Sequence, residues 1–548
     1  MSPLQKKISL LLMGLFLLFL VLCPLASIFI EAVIIHGRLD FSYAITALEA
    51  EGNILMIFHS LLLGALVVIL STLLSLPLAY LFSRTDFARR KYFDLLFLVP
   101  FITPPYIASM GWILFMQKRG LFSQIFPAFP QGIPPFFSLG GLVLVMSLHL
   151  YPFMLTLMKN AMAHIPSSLE EAAAVMGASF GTRMRKIFLP LLFGNYAIGA
   201  LLVFVKALSE YGTPYTLGRR IGFDVFTTSI HRYASVAPIS FGKAAVLASI
   251  LVTICLLLWM VQNWITEKCS YALISGRGSR RTLSTLSLPA RILAWAYISV
   301  ILLLSIGIPY FSIISTSLIK LRGFGLTAGN FTWMHYAELF SDTENDALAA
   351  IGNSLFLGLA SASICVILGT LVVLCVRTGG RKAKFLEMEA LLPEMLPGIV
   401  MVIGIMLFWN QIYTFLPLYN TMAILVITYV ILFLPYTVQY VTSAFTQISP
   451  SLVEAGQVFG GTPFYIFRRI VMPLLLKGMA AGWMMTFIIA VRELVAPSLI
   501  APPDTLVIST YIMREFEQGS VSLGMAMAVL CTALTVTSLL LLKRRMHI

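Results

Sequence analysis

The chain has 548 residues, of which 59% are hydrophobic and only 11% are charged. Soluble domains carry about 25% charged residues, so this composition excludes an ordinary soluble domain and indicates an integral membrane protein. The formal net charge of +14 does not indicate a nucleic-acid partner, because the basic residues lie in short clusters between apolar segments, as membrane orientation requires.

Twelve apolar segments are long enough to cross a bilayer as helices, which takes about 20 residues each. They occupy residues 8–34, 54–83, 92–116, 139–163, 190–211, 241–265, 290–318, 350–376, 386–414, 421–446, 473–497 and 521–542. The apolar stretch of the first segment, about 23 residues, is too long for a signal-peptide core, so we interpret it as a membrane helix. The sequence therefore predicts an all-α integral membrane protein.

The basic clusters predict the orientation of these spans. All clusters fall on one side, which the positive-inside rule makes the cytoplasmic side of the membrane, and both termini are then cytoplasmic. The clusters are Lys6/Lys7, Arg84/Arg89/Arg90/Lys91, Arg183/Arg185/Lys186, Arg277/Arg280/Arg281, Arg377/Arg381/Lys382/Lys384, Arg468/Arg469 and Lys543/Arg544/Arg545.

Prolines interrupt the third span of each half at matching positions. The breaks read Pro100-Phe-Ile-Thr-Pro104-Pro105 and Pro393-Glu-Met-Leu-Pro397. Matching breaks point to a transport pathway, so Pro104, Pro397 and Glu394 are pathway candidates. An ionisable group within a membrane is costly unless it is paired or faces water. A plain kink, with Glu394 reaching the cytoplasmic end of its span, is the alternative interpretation.

One motif occurs twice, 283 positions apart. The first copy runs from Ile165 to Leu192 and the second from Ile448 to Leu475, and 12 of the 28 aligned positions are identical. We call these segments the first and second repeat loops. Either copy alone could be an ordinary solvated connection between helices, but two matching copies favour a functional element.

Each repeat loop predicts a short helix, a turn and a second helix. Ser168 with Glu171, and Ser451 with Glu454, fit a capping box at the start of the first helix. The other matched positions are a glycine that ends this helix, a hydroxyl that caps the second, a basic residue, and a proline marking the turn into the next span. They are Gly177/Gly460, Ser179/Thr462, Arg185/Arg468 and Pro190/Pro473.

One face of the first helix in each repeat loop carries only small residues. These are Ala172 and Ala173 in the first copy and Ala455 and Gly456 in the second. A helix with such a face can enter a groove on another protein with close backbone contact. The repeat loops are therefore candidate docking elements.

Two glutamates occupy matching positions four residues before a proline, near the outer ends of the fifth and eleventh spans. Glu210 has Lys206 one helical turn away, and Arg492 adjoins Glu493. Ion pairing at the membrane interface is one interpretation. The other places two symmetric carboxylates at an outer gate, where their oxygens would suit a hard cation such as ferric iron.

The repeat extends to whole domains. Residues 60–64 parallel 354–358, and an even number of spans separates the copies, so the repeats are parallel. We predict a first helix and external loop at 1–53, a first membrane domain at 54–265 and a cytoplasmic linker at 266–289. A seventh helix with its loop at 290–349 and a second domain at 350–543 follow.

The pattern Glu-Ala-Ala, then Gly, then Ile-x-x-Pro resembles the EAA loop of permeases in bacterial binding-protein-dependent ABC importers. Glu171-Ala172-Ala173, Gly177, Ile187 and Pro190 match it fully, and the second copy departs only at Gly456. The resemblance covers nearly the whole chain and implies the type I permease fold: twelve helices as two tandem six-helix domains, here fused.

The resemblance also implies partners. Two EAA loops imply two copies of a cytoplasmic ABC ATPase subunit, and this importer class takes its solute from a periplasmic or lipid-anchored binding protein. The sequence contains no phosphate-loop motif, so we expect no enzyme activity and no cofactor in this chain, with ATP and magnesium bound by the ATPase. The six cysteines and seven histidines show no ligand spacing, so no resident metal site is assigned.

The segment Lys206-Ala-Leu-Ser-Glu-Tyr-Gly-Thr-Pro214 and the start of the second half resemble fused permeases of the ferric-iron uptake family. Iron(III) is therefore the predicted solute. Fused permeases of similar layout serve aminoethylphosphonate, sugar phosphates, thiamine and other small solutes, which stay open as alternatives. An ion-gradient-driven secondary transporter is the alternative from another class, and the paired EAA loops argue against it.

Overall fold

The computed structural model describes residues 3–35, 38–50, 52–269, 283–341, 346–379 and 383–546. Several sequence predictions fall outside these ranges: most of the linker, with its cluster at Arg277, Arg280 and Arg281, and the pair Arg381 and Lys382. The side chains of residues 3–6, 35, 267–269, 378 and 541–546 are also not described.

The first half consists almost entirely of helices. Its α-helices are α1 Pro3–Leu17, α2 Cys23–Val33, α3 Phe41–Glu49, α4 Asn53–Arg84, α5 Tyr92–Ile102, α6 Pro105–Met116, α7 Leu121–Ile125, α8 Leu139–His164, α9 Ser167–Val175, α10 Phe180–Arg183, α11 Leu189–Ser209, α12 Phe226–Ser235 and α13 Phe241–Cys269. Two strands of two residues each, β1 Ile34–Ile35 and β2 Arg38–Leu39, pair antiparallel.

The second half repeats this pattern. Its helices are α14 Leu288–Leu302, α15 Ile308–Leu318, α16 Met334–Ser341, α17 Ala347–Gly379, α18 Ala383–Met395, α19 Gly398–Gln411, α20 Met422–Thr446, α21 Pro450–Val458, α22 Pro463–Ile466, α23 Met472–Val491, α24 Val495–Ile500, α25 Ile508–Glu517 and α26 Val521–Met546. Short π-helical turns lie at Leu18–Leu22, Met184–Phe188, Pro214–Gly218, Leu303–Gly307 and Phe467–Val471, and 3-10 turns at Asp86–Arg89, Pro134–Phe136, Arg219–Ile221 and Arg322–Phe324.

Within the described residues, ten helical segments are long and apolar enough to cross a membrane. Two bent pairs would complete twelve: α5 with α6–α7, bent by 87°, and α18 with α19, bent by 111°. The predicted all-α membrane fold is confirmed. Both bends fall at the predicted proline breaks, where Pro104 and Pro397 immediately precede α6 and α19.

Contacts divide the chain into two units. The first-half unit comprises residues 51–228 and 253–331, and the second-half unit comprises 1–50, 229–252 and 332–548. Each unit therefore contains the opening helix of the opposite half of the sequence: α14–α15 lie in the first-half unit and α1–α2 in the second-half unit. The predicted domain limits at 54–265 and 350–543 stay predictions.

Each unit uses the same close contact to hold its opening helix. A Cβ added to Gly111 on α6 would lie 2.8 Å from the carbonyl oxygen of Pro309 on α15. A Cβ added to Gly404 on α19 would lie 2.5 Å from that of Pro24 on α2. Only glycine leaves room for the two backbones to approach this closely. A π-helical turn precedes each of these prolines by a few residues.

Candidate functional site

The two repeat loops fold alike. In the first, α9 ends at a turn through Gly177, and α10 then leads through the Met184–Phe188 turn into α11. In the second, α21 turns at Gly460 before α22, the Phe467–Val471 turn and α23. Both glycines adopt left-handed backbone angles, with φ of 77° and 76°, as the sequence predicts.

Both turns form the same pair of backbone hydrogen bonds. In the first repeat loop Gly177 N donates to Ala174 O at 2.9 Å and Ala178 N donates to Ala173 O at 2.9 Å. The second repeat loop has the equivalent bonds from Gly460 to Gln457 and from Gly461 to Gly456, both at 2.9 Å. This is a Schellman motif, which satisfies the last carbonyls of a helix.

Hydroxyl caps open the second helix of each repeat loop, as predicted. Ser179 Oγ accepts a hydrogen bond from Thr182 N at 3.3 Å, and Thr462 Oγ1 accepts one from Tyr465 N at 3.3 Å. The backbone of each repeat loop is therefore fixed by its own sequence, independently of any partner.

The predicted capping boxes are wrong. Neither α9 nor α21 has a side-chain hydrogen bond at its N-cap, and Ser168 and Ser451 lie within the first turn instead. A proline beside each start sets the register: Pro166 precedes α9, and Pro450 is the first residue of α21. The fixed φ of proline suits this position, so the helices begin earlier than the serines suggest.

The prediction that Pro190 and Pro473 mark a turn is also wrong. Each proline continues a span, which runs from Phe180 to Ser209 in the first half and from Pro463 to Val491 in the second. The π-helical turn before each proline shifts the backbone bonding pattern next to a residue that has no N–H to donate. Each repeat loop is thereby connected to its span by an unbroken helix.

Each repeat loop exposes two adjacent apolar side chains at its turn. Val175 and Met176 are both 88% exposed, and their counterparts Val458 and Phe459 are 84% and 90% exposed. Adjacent apolar side chains exposed at a rigid turn are typical of a contact surface. We call these four residues the apolar tips.

The other predicted loop residues lie around the apolar tips. Glu171, Ala172, Glu454 and Ala455 are exposed on α9 and α21, and Ala173 and Gly456 are half-buried. The predicted basic residues, Arg185 and Arg468, are exposed within the two π-helical turns. These side chains and the apolar tips therefore belong to one short helix–turn–helix in each copy.

Different side-chain contacts stabilise the turns of the two repeat loops. Glu170 and Arg183 form an ion pair at 3.4 Å in the first repeat loop. The aligned positions in the second are Val453 and Ile466, and Ile466 is buried in a hydrophobic cluster. A Cβ at Gly456 would lie 3.1 Å from Ile466 Cγ1 and 2.9 Å from Ile470 Cδ1, which accounts for the departure from the Glu-Ala-Ala pattern.

Glu210 and Glu493 occupy equivalent environments in their separate units. Each is half-buried and follows the last residues of a span. The Glu210 carboxylate accepts hydrogen bonds from Thr213 N at 3.1 and 3.0 Å, and that of Glu493 accepts from Val495 N at 2.9 Å. Arg492 interacts electrostatically with the Glu493 carboxylate, so ion pairing at the membrane interface stays a prediction beside the gate interpretation.

Hydroxyl groups complete the surroundings of both glutamates. Thr227 Oγ1 donates to the main-chain oxygen of Glu210 at 2.8 Å, and Ser509 Oγ donates to that of Glu493. Lys206, the expected partner of Glu210, instead places its Nζ 5.8 Å from the centre of the Phe153 ring. The duplication therefore includes a polar network around each glutamate, which spacing alone did not indicate.

The polar groups at the two proline breaks differ in kind: hydroxyl and imidazole groups lie at the first break, and a carboxylate lies at the second. At the first, Thr103 Oγ1 and Tyr310 OH hydrogen-bond at 2.7 Å, and both line a cavity with His149 and Ser305. At the second, the Glu394 carboxylate, half-buried, accepts a hydrogen bond from Gln439 Nε2. Glu394 is therefore paired through an amide.

One buried carboxylate was missed in the sequence. Glu389 on α18 is 2% exposed, and its oxygens have no hydrogen-bond partner among the described residues. The signal was present, since it is an acidic residue inside a predicted span. Within the described ranges, no group of three or more His, Cys, Asp or Glu side chains could hold a metal ion.

Two bundles with matching broken spans and matching repeat loops define a tandem membrane permease. The sequence profile of the family described as binding-protein-dependent transport system inner membrane component matches residues 71–271 and 365–547. The chain belongs to this family and is a multi-pass transport component.

Two ferric permeases align with nearly the whole chain, and a third relative aligns with less than half of it. The chain is 26% identical to the ferric transport system permease protein FbpB of Actinobacillus pleuropneumoniae, over 93% of this chain and 74% of that protein. It is 23% identical to the Fe(3+)-transport system permease protein FbpB 2 of Haemophilus influenzae, over 96% and 97%. A putative 2-aminoethylphosphonate transport system permease protein, PhnV of Salmonella typhi, is 25% identical over 45% of this chain and 92% of that protein.

Proposed function

We propose that this chain is the fused permease of an ATP-driven importer that passes iron(III) through a bacterial inner membrane. The single observation that carries the ATP-driven part is the pair of repeat loops with identical backbone turns and exposed apolar tips. The alignment with ferric permeases over more than nine-tenths of the chain supports iron as the solute.

In this proposal each repeat loop docks on one of two identical ATPase subunits. The apolar tips would be buried on binding, and Arg185 and Arg468 would lie beside the contact. Closure of the ATPase pair on ATP would move both repeat loops, and the unbroken helices into α11 and α23 would carry that movement into the spans. ATP and its magnesium ion stay on the partner.

The distribution of basic residues supports the proposed orientation. Both repeat loops carry basic clusters, and so does the 84–91 connection between spans. The positive-inside rule places these connections in the cytoplasm, where an ATPase could reach them. The substrate-binding protein, periplasmic or lipid-anchored, would then dock on the opposite surface and release its solute there.

Glu210 and Glu493 are the proposed solute contacts. Carboxylate oxygens suit a hard cation such as iron(III), and each unit holds its carboxylate by backbone N–H groups in the same way. Those backbone N–H groups fix the direction of each carboxylate and leave its charge in place. Pro104, Pro397 and Glu394 stay pathway candidates, because bent spans would line the route.

The deciding experiment is reconstitution of the chain in proteoliposomes, with its ATPase outside and its binding protein enclosed, and measurement of radioactive iron leaving the lumen. We expect ATP-dependent transport that stops when the ATPase is omitted. Transport driven by an ion gradient without the ATPase would establish a secondary transporter and overturn the proposal. Transport of 2-aminoethylphosphonate but not iron would retain the machinery and replace the solute.

A further inference from the structure

The side chain of Arg84 joins the end of one span to the start of the first repeat loop. Arg84 is the last residue of α4 and is 6% exposed. Its Nη2 donates to Met162 O and to Ile165 O, both at 2.6 Å. These carbonyls lie at the C-terminus of α8, where Met162 O also accepts a hydrogen bond from Ile165 N at 3.3 Å.

The same guanidinium group reaches the far end of the first repeat loop. Arg84 Cζ lies 5.2 Å from the centre of the Phe188 ring, and Phe188 closes the π-helical turn that leads into α11. Tyr80, one turn earlier on α4, packs edge-on against both Phe180 and Phe188. The end of α4 thus holds the first repeat loop at its entry and at its exit.

The main chain of Arg84 holds a third segment, the described end of the linker. Ser284 donates to Arg84 O through its N at 3.0 Å and through its Oγ at 3.1 Å. Asp86 N in turn donates to Ser284 O at 3.3 Å, and Asp86 forms an ion pair with Arg291 at 3.4 Å. Loop, span and linker therefore meet at one residue.

The second half lacks this arrangement among its described residues. Aligning Ser60 with Ser354 places Thr378 opposite Arg84, and the neighbouring Arg377 is exposed. The Arg377 guanidinium lies 5.5 Å from the centre of the Phe445 ring, and Phe445 aligns with Met162. A stacking contact is present there, but no bond from Arg377 to a carbonyl of the second repeat loop is found in the described ranges.

We infer that Arg84 is a positioning residue that ties the first repeat loop and the linker to α4, so that the two repeat loops are unequal levers. This inference rests on the proposed function. It means that the first repeat loop transmits the movement of the ATPase to the spans more rigidly than the second repeat loop does. A guanidinium group suits the task, because its planar fork reaches two carbonyls while its face stacks on an aromatic ring.

The first test compares amide hydrogen exchange of the two repeat loops in the full-length protein. Arg84→Met should raise the exchange rate of residues 166–188 at least about tenfold, because two charge-assisted hydrogen bonds are lost. Residues 449–471 should not change. Arg84→Lys should restore part of the protection, and the matched control Arg377→Met should leave both loops as they are. Equal exchange in Arg84→Met and in the unaltered protein would overturn the inference.

The second test measures coupling in the reconstituted complex, as solute moved per ATP hydrolysed. Arg84→Met should lower this ratio while the ATPase stays bound and active, with Arg84→Lys intermediate and Arg377→Met unchanged. An unchanged ratio in Arg84→Met would also contradict the inference. If the unaltered protein needs no ATPase, the proposed function fails, whereas the exchange result, which uses no partner, still decides whether Arg84 holds the loop.

Discussion

In the first repeat loop Glu170 pairs with Arg183 below the turn, whereas the aligned residues in the second are Val453 and Ile466. The backbones above them differ by only 1° in φ at the turning glycine, 77° against 76°. The two copies thus keep the conformation that presents the apolar tips and exchange the contacts that support it. The difference indicates that the geometry of the turn is the constrained property.

The largest expected effect concerns a feature that the two units share. Replacing both Glu210→Gln and Glu493→Gln should reduce iron transport to background, because the amides keep hydrogen-bond acceptors for the backbone N–H groups but remove the charge. Proteoliposome transport is the measurement, and co-purification of the ATPase checks assembly. Glu49→Gln, at an exposed carboxylate between spans, serves as control. Full transport by the double variant would remove the glutamates from the pathway.

The next prediction concerns the different supports of the two turns. Ile466→Ala should destabilise the second repeat loop by about 2–4 kcal/mol, since it leaves a cavity in a packed cluster. Arg183→Ala should cost the first repeat loop at most about 1 kcal/mol, because its ion pair is partly solvated. Amide exchange of each loop gives both values. Equal costs would mean that burial of Ile466 does not stabilise its turn.

The apolar tips should contribute comparably to partner binding in both copies. Met176→Asp and Phe459→Asp should each weaken ATPase binding about 30-fold, as expected when a well-buried contact residue is lost. Binding of the ATPase to the permease in nanodiscs is the measurement. Phe415→Asp is the matched control, because Phe415 is 85% exposed in the connection before α20, whereas the second repeat loop follows α20. If only Phe415→Asp weakened ATPase binding, the ATPase would bind the surface that carries Phe415 and not the repeat loops.

The smallest effect tests the shared backbone. Gly177→Ala and Gly460→Ala should each destabilise their turn by about 1–2 kcal/mol, because a side chain disfavours the left-handed conformation. A Cβ would meet no atom within 4 Å at either position, so the cost is conformational alone. The two losses of protection should be equal in amide exchange. A clearly unequal pair would show that the loops are not the same structure.

Much of the fold follows from hydrophobic length and from glycine and proline. The apolar runs correspond to ten helical segments and two bent pairs, and Gly177 and Gly460 turn the chain as predicted. The sequence predicts the start of α9 at Ser168, but the helix begins at Ser167, because Pro166 determines the start more strongly than Ser168. The extended helix through Pro190 differed because the π-helical turn compensates for the missing N–H.

Other features depend on contacts that periodicity does not encode. An apolar run shows that α2 is buried in lipid or protein, but not that its neighbour is α19. Arg84 lies at the end of a span, and in the sequence it cannot be told apart from the other basic residues that the positive-inside rule places on the cytoplasmic side. It is buried because the carbonyl oxygens of Met162 and Ile165, at the end of α8, lie within hydrogen-bond reach, and only the three-dimensional structure reveals this.

The contact between Pro24 and Gly404 has a consequence for biosynthesis. Their positions are 380 residues apart, since 404 minus 24 is 380. At ribosomal rates of about 5–20 residues per second, the first membrane helix waits roughly 20 to 80 seconds before its neighbour has been synthesised. During that interval the face of α2 around Pro24 is exposed to lipid, to the insertion machinery or to an incorrect helix. Because both halves belong to one polypeptide, α19 is synthesised in the same chain as α2 and is available to pack against it as soon as synthesis reaches it.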